Sequence, residues 1–222
     1  MRVFILCTGR CGSFSFIKAC SHIDNYTSDH ESLSGKFGVE RFEYPENHIE
    51  ADNRLSWHLG QLNKLFGNSP FYIHLKRERK KVAQSYFKRY YRAGSIIDAF
   101  CDGVRVTPKE SLSNEMRLQV CYDYVDTVNA NIEDFIRDKD HTMTVNLEKI
   151  DSDFPVFWER IRAKGDLQTA MKEFNTAYNT SSERRFRILY RSKLVLIREC
   201  RYIFEHTRSE LKKVFKKKDE II

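Results

Sequence analysis

The chain predicts an α/β fold, a three-layer sandwich in which helices flank a central, mostly parallel sheet, ending in a long helix. Two observations predict it. Short apolar runs recur and each is followed by a helical pattern. The runs are apolar at consecutive positions, as strands buried on both faces are. With 222 residues, the chain has enough length for one domain with a real core, residues 1–222, of which about 183–222 form a basic helical extension. An apolar share of 41% against 31% charged excludes a disordered chain.

The elements follow in order. Val3 to Cys7 is the first strand, and Phe14 to Ala19 the first helix, with Ser13 placed to cap it. Asp24 to Gly38 is polar and contains glycine, and reads as a mobile loop over the sheet edge. His48 to Ala51 is a short second strand, followed by a helix from about Asn53 to Phe66. FYIHLK, Phe71 to Lys76, is the next clear strand, and Arg79 to Tyr91 is its helix. Leu112 to Ile136 is a long amphipathic helix, Thr142 to Leu147 a late strand, and Phe154 to Ala163 another helix. From Glu183 to Lys217 the pattern is helical and increasingly basic. The aromatics Tyr86, Phe87, Tyr90 and Tyr91 fall at helical spacing and read as core, as do Trp57, Trp158, Tyr122 and Tyr124.

The turn after the first strand carries the first chemical signal. It reads TGRCGSFS, Thr8 to Ser15. A strand, a glycine turn and a helix N-terminus together present unpaired N–H groups and a favourable dipole to an anion. Arg10 adds a fixed positive charge. Several known loops are excluded. A nucleoside-triphosphate loop needs Gly-Lys before its hydroxyl residue, and here Gly12 is followed directly by Ser13. The dinucleotide pattern G-x-G-x-x-G is missing, and no arginine lies six residues beyond Cys7 or Cys11, as a cysteine phosphatase would require.

The charge balance agrees with an anionic ligand. The net charge is +7, and much of the excess lies in KKVFKKK, Lys212 to Lys218. Six scattered cysteines form no C-x-x-C pair, so the expectation is a reducing, cytoplasmic protein without a disulfide framework and without a metal site.

A second constellation starts at the end of FYIHLK. Arg77 closes that strand and Ser85 follows eight residues later, so a guanidinium and a hydroxyl can meet on one phosphate. In a parallel sheet, ligands bind beyond the carboxyl ends of the strands, which puts the Arg10 turn and Arg77 on the same edge.

Taken together, these motifs resemble those of the sulfotransferases that use 3′-phosphoadenosine 5′-phosphosulfate, most closely bacterial-type members. Their 5′-phosphosulfate loop reads Lys or Arg, Ser-Gly, a hydroxyl residue and Thr. Here it stands as Arg10-Cys11-Gly12-Ser13-Phe14. Their 3′-phosphate motif is a strand-ending arginine with a serine eight residues on, here RERKKVAQS, Arg77 to Ser85. Ile49 to Leu62 also looks like the segment before that strand. The likeness covers about the first 90 residues. It departs at Phe14, which replaces a hydroxyl, at Cys11, and at Ser15, where many cytosolic members carry a tryptophan that packs on adenine. Lys164-Gly165 is similar to a third phosphate loop of cytosolic members, but reads here as a helix stop.

The resemblance implies a P-loop-like fold and sulfuryl transfer from that nucleotide, as co-substrate, to a hydroxyl or amine acceptor, without metal. Arg10 would stabilise the leaving phosphate, helped by the N–H groups of Gly12 and Ser13. Arg77 and Ser85 would hold the 3′-phosphate. Relatives use a glutamate or histidine on the loop after the first helix as general base, and that loop here contains Asp29-His30-Glu31, which makes Glu31 the first candidate and His30 the second. Glu50 is a further candidate, or a partner of Arg54 four residues on. The acceptor is left open among a glycan, a lipid, a peptide and a small molecule. Two other readings stand beside this one: a divergent nucleotide or phosphate-transfer enzyme on a related scaffold, and a non-catalytic binder whose basic C-terminus meets nucleic acid or an anionic membrane. The sulfotransferase reading expects no nucleic acid and at most a peripheral membrane contact.

Overall fold

The computed structural model describes residues 1–92, 94–105, 112–176 and 178. The basic helix expected from Glu183 to Lys217 lies outside the described residues. Five strands form one all-parallel sheet: β1 (Val3–Cys7), β2 (Thr27–His30), β3 (His48–Ala51), β4 (Phe71–Lys76) and β5 (Thr142–Asn146). Their order is β2-β3-β1-β4-β5, so the first strand lies in the middle. Both faces are covered. Val3, Ile5 and Cys7 pack with α1 (Ser13–Cys20), α6 (Ile150–Arg160) and α7 (Leu167–Lys172). Phe4 and Leu6 face the other way, towards α2 (Leu59–Phe66), α3 (Arg79–Phe87), the short α4 (Ile96–Ala99) and α5 (Asn114–Ile136). All five residues of β1 are fully buried, which explains why that strand is unbroken in its apolarity rather than alternating.

Several boundaries differ from the sequence expectation. Thr27–His30 is a strand, not part of a mobile loop. Its four residues alternate between exposed and half-buried, so an edge strand of polar residues hides inside a loop-like composition. The helix expected over Asn53 to Phe66 is a 3₁₀ turn, Asn53–Trp57, and then α2, because Asp52 accepts the Arg54 N–H at 2.8 Å and starts the tighter turn. The helix after β4 ends at Phe87 rather than Tyr91, and Tyr91 is 59% exposed rather than in the core. α6 starts at Ile150, four residues earlier than expected, and carries Pro155 in its second turn.

Lys164-Gly165 lies at the opposite end of the sheet from the glycine turn. Lys164 accepts the Asp24 N–H through its carbonyl at 2.6 Å, and Gly165 (φ 138) pairs with Ile23 beyond the end of α1. The close approach of Gly165 to His22 allows no Cβ, which accounts for the glycine without a ligand.

Candidate functional site

β1 and β4 are neighbours, yet the helices that follow them pack on opposite faces of the sheet. A crevice therefore opens between their carboxyl ends, the place where open α/β sheets bind ligands. The Thr8–Gly12 turn and Arg77 both lie there.

The turn is shaped by three demands on the backbone. Gly9 (φ 73), Arg10 (φ 60) and Gly12 (φ 90) all take left-handed conformations. Glycine adopts these freely, and arginine does not, so Arg10 is held by its surroundings. Arg77 Nη1 donates to the Arg10 carbonyl at 3.1 Å, and Arg10 Nε donates to Ser85 Oγ at 3.1 Å. The sequence-predicted trio of Arg10, Arg77 and Ser85, drawn from 75 residues of chain, is thus one hydrogen-bonded group. Upstream, the Thr8 carbonyl accepts two phenols, Tyr86 at 2.6 Å and Tyr124 at 2.8 Å, and Ser56 Oγ donates to the Cys7 carbonyl at 3.1 Å.

Burial pulls the Arg10 guanidinium below its usual pKa, and the like charge of Arg77 adds to the pull. Among the described residues neither guanidinium has a carboxylate within ion-pairing distance. Two half-buried cations without a counter-charge make a site that favours an anion.

Gly12 is the N-cap of α1, and the first helical acceptor bond runs from Phe16 N–H to its carbonyl at 2.9 Å. The N–H groups of Ser13, Phe14 and Ser15 are therefore outside the helical ladder. Ser13 does not cap the helix as expected; its Oγ instead lies 3.0 Å from His30 Nε2. Phe14 turns its ring to the edge of His30, with centroids 5.6 Å apart. Cys11 is fully buried, and its thiol is drawn below its usual pKa chiefly by the neighbouring Cys7 thiol, so only its backbone faces the turn.

The three acidic or basic candidates on the acceptor side separate clearly. His30 ends β2 and reaches the loop through Ser13. Glu31 Oε2 instead lies 2.9 Å from Arg54 Nη1. Glu50 is fully buried, accepts from Ser32 N–H at 2.9 Å and Ser32 Oγ at 2.6 Å, and meets His48 Nε2 at 3.1 Å. The expected Glu50–Arg54 pair is therefore replaced by Glu31–Arg54, since on strand β3 Glu50 points into the layer and not along the edge.

A scan against protein-family models and a search of curated proteins both find no match for this chain. The site must therefore be read from its own chemistry.

Sequence spacing missed four contributors. Tyr86 and Tyr124, read as plain core, hold the Thr8 carbonyl. Leu147 covers Gly12, where an added Cβ would lie 2.8 Å from its Cδ1. Arg54 holds Glu31. The first three reach the turn from up to 135 residues away in the chain, so no local pattern could mark them; a phenol at a helical core position carries no sign that its hydroxyl has a carbonyl to meet. No helix among the described residues is long and apolar enough to cross a membrane.

Proposed function

We propose that this protein is a sulfotransferase on a P-loop-like scaffold, moving a sulfuryl group from 3′-phosphoadenosine 5′-phosphosulfate to a hydroxyl acceptor. The observation that supports it most is the convergence of Arg10, Arg77 and Ser85 on a glycine turn, with no carboxylate among the described residues paired to either guanidinium. Two arginines and a helix N-terminus set side by side suit a ligand with phosphates at both ends of one ribose.

In this reading the N–H groups at the start of α1 and the Arg10 guanidinium hold the 5′-phosphosulfate. Arg77 and Ser85 hold the 3′-phosphate and fix the register of the donor. Ser85 and Arg10 already bond to each other, so donor binding exchanges that bond for bonds to the ligand. The acceptor oxygen forms its bond to sulfur as the bond from sulfur to the 5′-phosphate oxygen breaks. Charge grows on that leaving oxygen, and Arg10 is the residue placed to stabilise it. The acceptor proton passes to His30, which unlike Glu31 is not engaged by an arginine and is tied to the loop through Ser13.

The test is calorimetry with 3′-phosphoadenosine 5′-phosphate, beside 5′-AMP and ATP, without metal. The expected result is a preference for the compound with the 3′-phosphate, reduced about 10-fold or more in Arg10→Ala and in Arg77→Ala, as for loss of a charged hydrogen bond worth about 1.5–3 kcal/mol. Equal binding of 5′-AMP would remove the reading, and an ATP preference would favour the phosphate-transfer alternative.

A further inference from the structure

Arg54 and Glu31 form a pair that the donor site does not use. Arg54 stands two residues past Asp52, just beyond the carboxyl end of β3, and Glu31 directly follows His30 at the end of β2. The two strands are parallel neighbours, so both residues emerge on the edge that carries the candidate site.

Each residue has been set up for this position at some cost. Glu31 takes a left-handed backbone conformation (φ 59) while its N–H is tied to the Ala51 carbonyl at 3.1 Å. For a residue other than glycine, that conformation costs about 1–2 kcal/mol. Strain of this kind gathers at functional sites. Arg54 has a nearer carboxylate in sequence, Asp52, but Asp52 is consumed elsewhere: Arg41 pairs with it inside the protein, and its other oxygen accepts the Arg54 N–H at 2.8 Å. The Arg54 guanidinium is left 3.9 Å from Asp52 and turns to Glu31 at 2.9 Å.

The pair is in contact but not well made. Arg54 Nη1 is shielded from solvent and has no hydrogen bond among the described residues, although the charge of Glu31 lies beside it. The two side chains are 41% and 34% exposed. An ion pair so exposed is worth only about 0.2–1 kcal/mol. The planar guanidinium therefore keeps most of its fork free for a carboxylate that can align with it.

We infer that Arg54 recognises the acceptor, and that the acceptor carries a carboxylate near the hydroxyl to be sulfated. That carboxylate replaces Glu31 on the Arg54 fork while the hydroxyl meets His30, the residue next to Glu31. Glu31 is thus a stand-in for substrate rather than the base. The inference rests on the sulfotransferase reading for the identity of the hydroxyl chemistry. The positive balance of the chain, +7, draws the same class of molecule towards the site.

The test uses the full chain with labelled arginine side chains, followed by NMR, and glucuronate as probe beside uncharged glucose. Saturating 3′-phosphoadenosine 5′-phosphate occupies Arg10 and Arg77, so that the probe cannot report on them. The expected result is a saturable shift of the Arg54 signal with glucuronate and none with glucose. Arg54→Gln abolishes glucuronate binding. Glu31→Gln, by removing the internal competitor, tightens it about 2- to 5-fold, in line with the worth of an exposed ion pair. Binding of the spent donor stays unchanged in both variants. Equal responses to the two sugars, retained glucuronate binding in Arg54→Gln, or weaker binding in Glu31→Gln would overturn the inference. Failure of the spent donor to bind would instead defeat the donor reading, and the Arg54 titration would still be readable by itself.

Discussion

Gly12 illustrates how much a single position can carry. Its φ of 90 suits glycine alone, and an added Cβ would meet Leu147 at 2.8 Å. Gly12→Ala therefore carries two separable penalties, about 1 kcal/mol or more for the backbone and a further one for the contact. Thermal denaturation should show a loss in Gly12→Ala and only a partial recovery when Leu147→Ala is added, because the second change removes the clash and leaves the strain. Full recovery would mean that the backbone conformation is not strained. At the same scale, His30 and Glu31 are separated by their partners. Label transfer from donor to acceptor should fall by about 10²–10⁴ in His30→Asn, as for removal of a general base, with the affinity for spent donor unchanged. Glu31→Gln should leave the chemical step intact; a matching collapse in that variant would return the role of base to Glu31.

Among the elements, α3 and α5 are pinned to the turn by one atom, the Thr8 carbonyl, which accepts from Tyr86 and from Tyr124. Either phenol can satisfy that buried carbonyl. Tyr86→Phe and Tyr124→Phe should each cost about 0.5–1.5 kcal/mol, the net worth of one hydrogen bond. The double variant should cost more than their sum, since only then is the carbonyl stranded. Urea denaturation of the four proteins measures this, and strict additivity would show that the two bonds act independently. The elements also show what the sequence made legible. β1 and β4 announce themselves because burial on both faces writes a nearly unbroken apolar run. β2 does not: an edge strand with one wet side, spelled Thr-Ser-Asp-His, has the composition of a loop. Arg10, Arg77 and Ser85 were legible because each follows a strand or sits on the next helix at fixed spacing. Arg54 and Leu147 were not, because their role is set by which strands become neighbours, and order β2-β3-β1-β4-β5 is decided by tertiary packing.

For the whole molecule, acid should be destabilising in a way that His74 reports. It lies fully buried on β4, with Nε2 at 3.1 Å from Asn129 Oδ1 and Nδ1 without a partner. Burial pulls its pKa from 6.5 down to about 4. The unfolded chain thus takes up a proton before the folded one, so stability is unaffected above about pH 6.5 and falls between there and about pH 4. The loss from this group is up to about 3 kcal/mol by the bottom of that window. Urea midpoints at neutral pH and near the bottom of that window, compared between the native chain and His74→Gln, isolate it from the carboxylates. An unchanged pH dependence in the variant would assign the acid sensitivity elsewhere.

The turn also sets an order of events during synthesis. Every residue of the two sequence motifs at the turn has been made by Ser85, yet the second phenol on the Thr8 carbonyl waits for Tyr124, the cover over Gly12 waits for Leu147, and Glu148 must arrive before it can accept the Glu78 N–H at 3.1 Å behind Arg77. β4 itself lacks an outer neighbour until β5 pairs with it. A nascent chain stalled near residue 92 would therefore carry the whole recognisable signature with its loop only partly supported, and the remaining supports would arrive late, around the docking of the last strand.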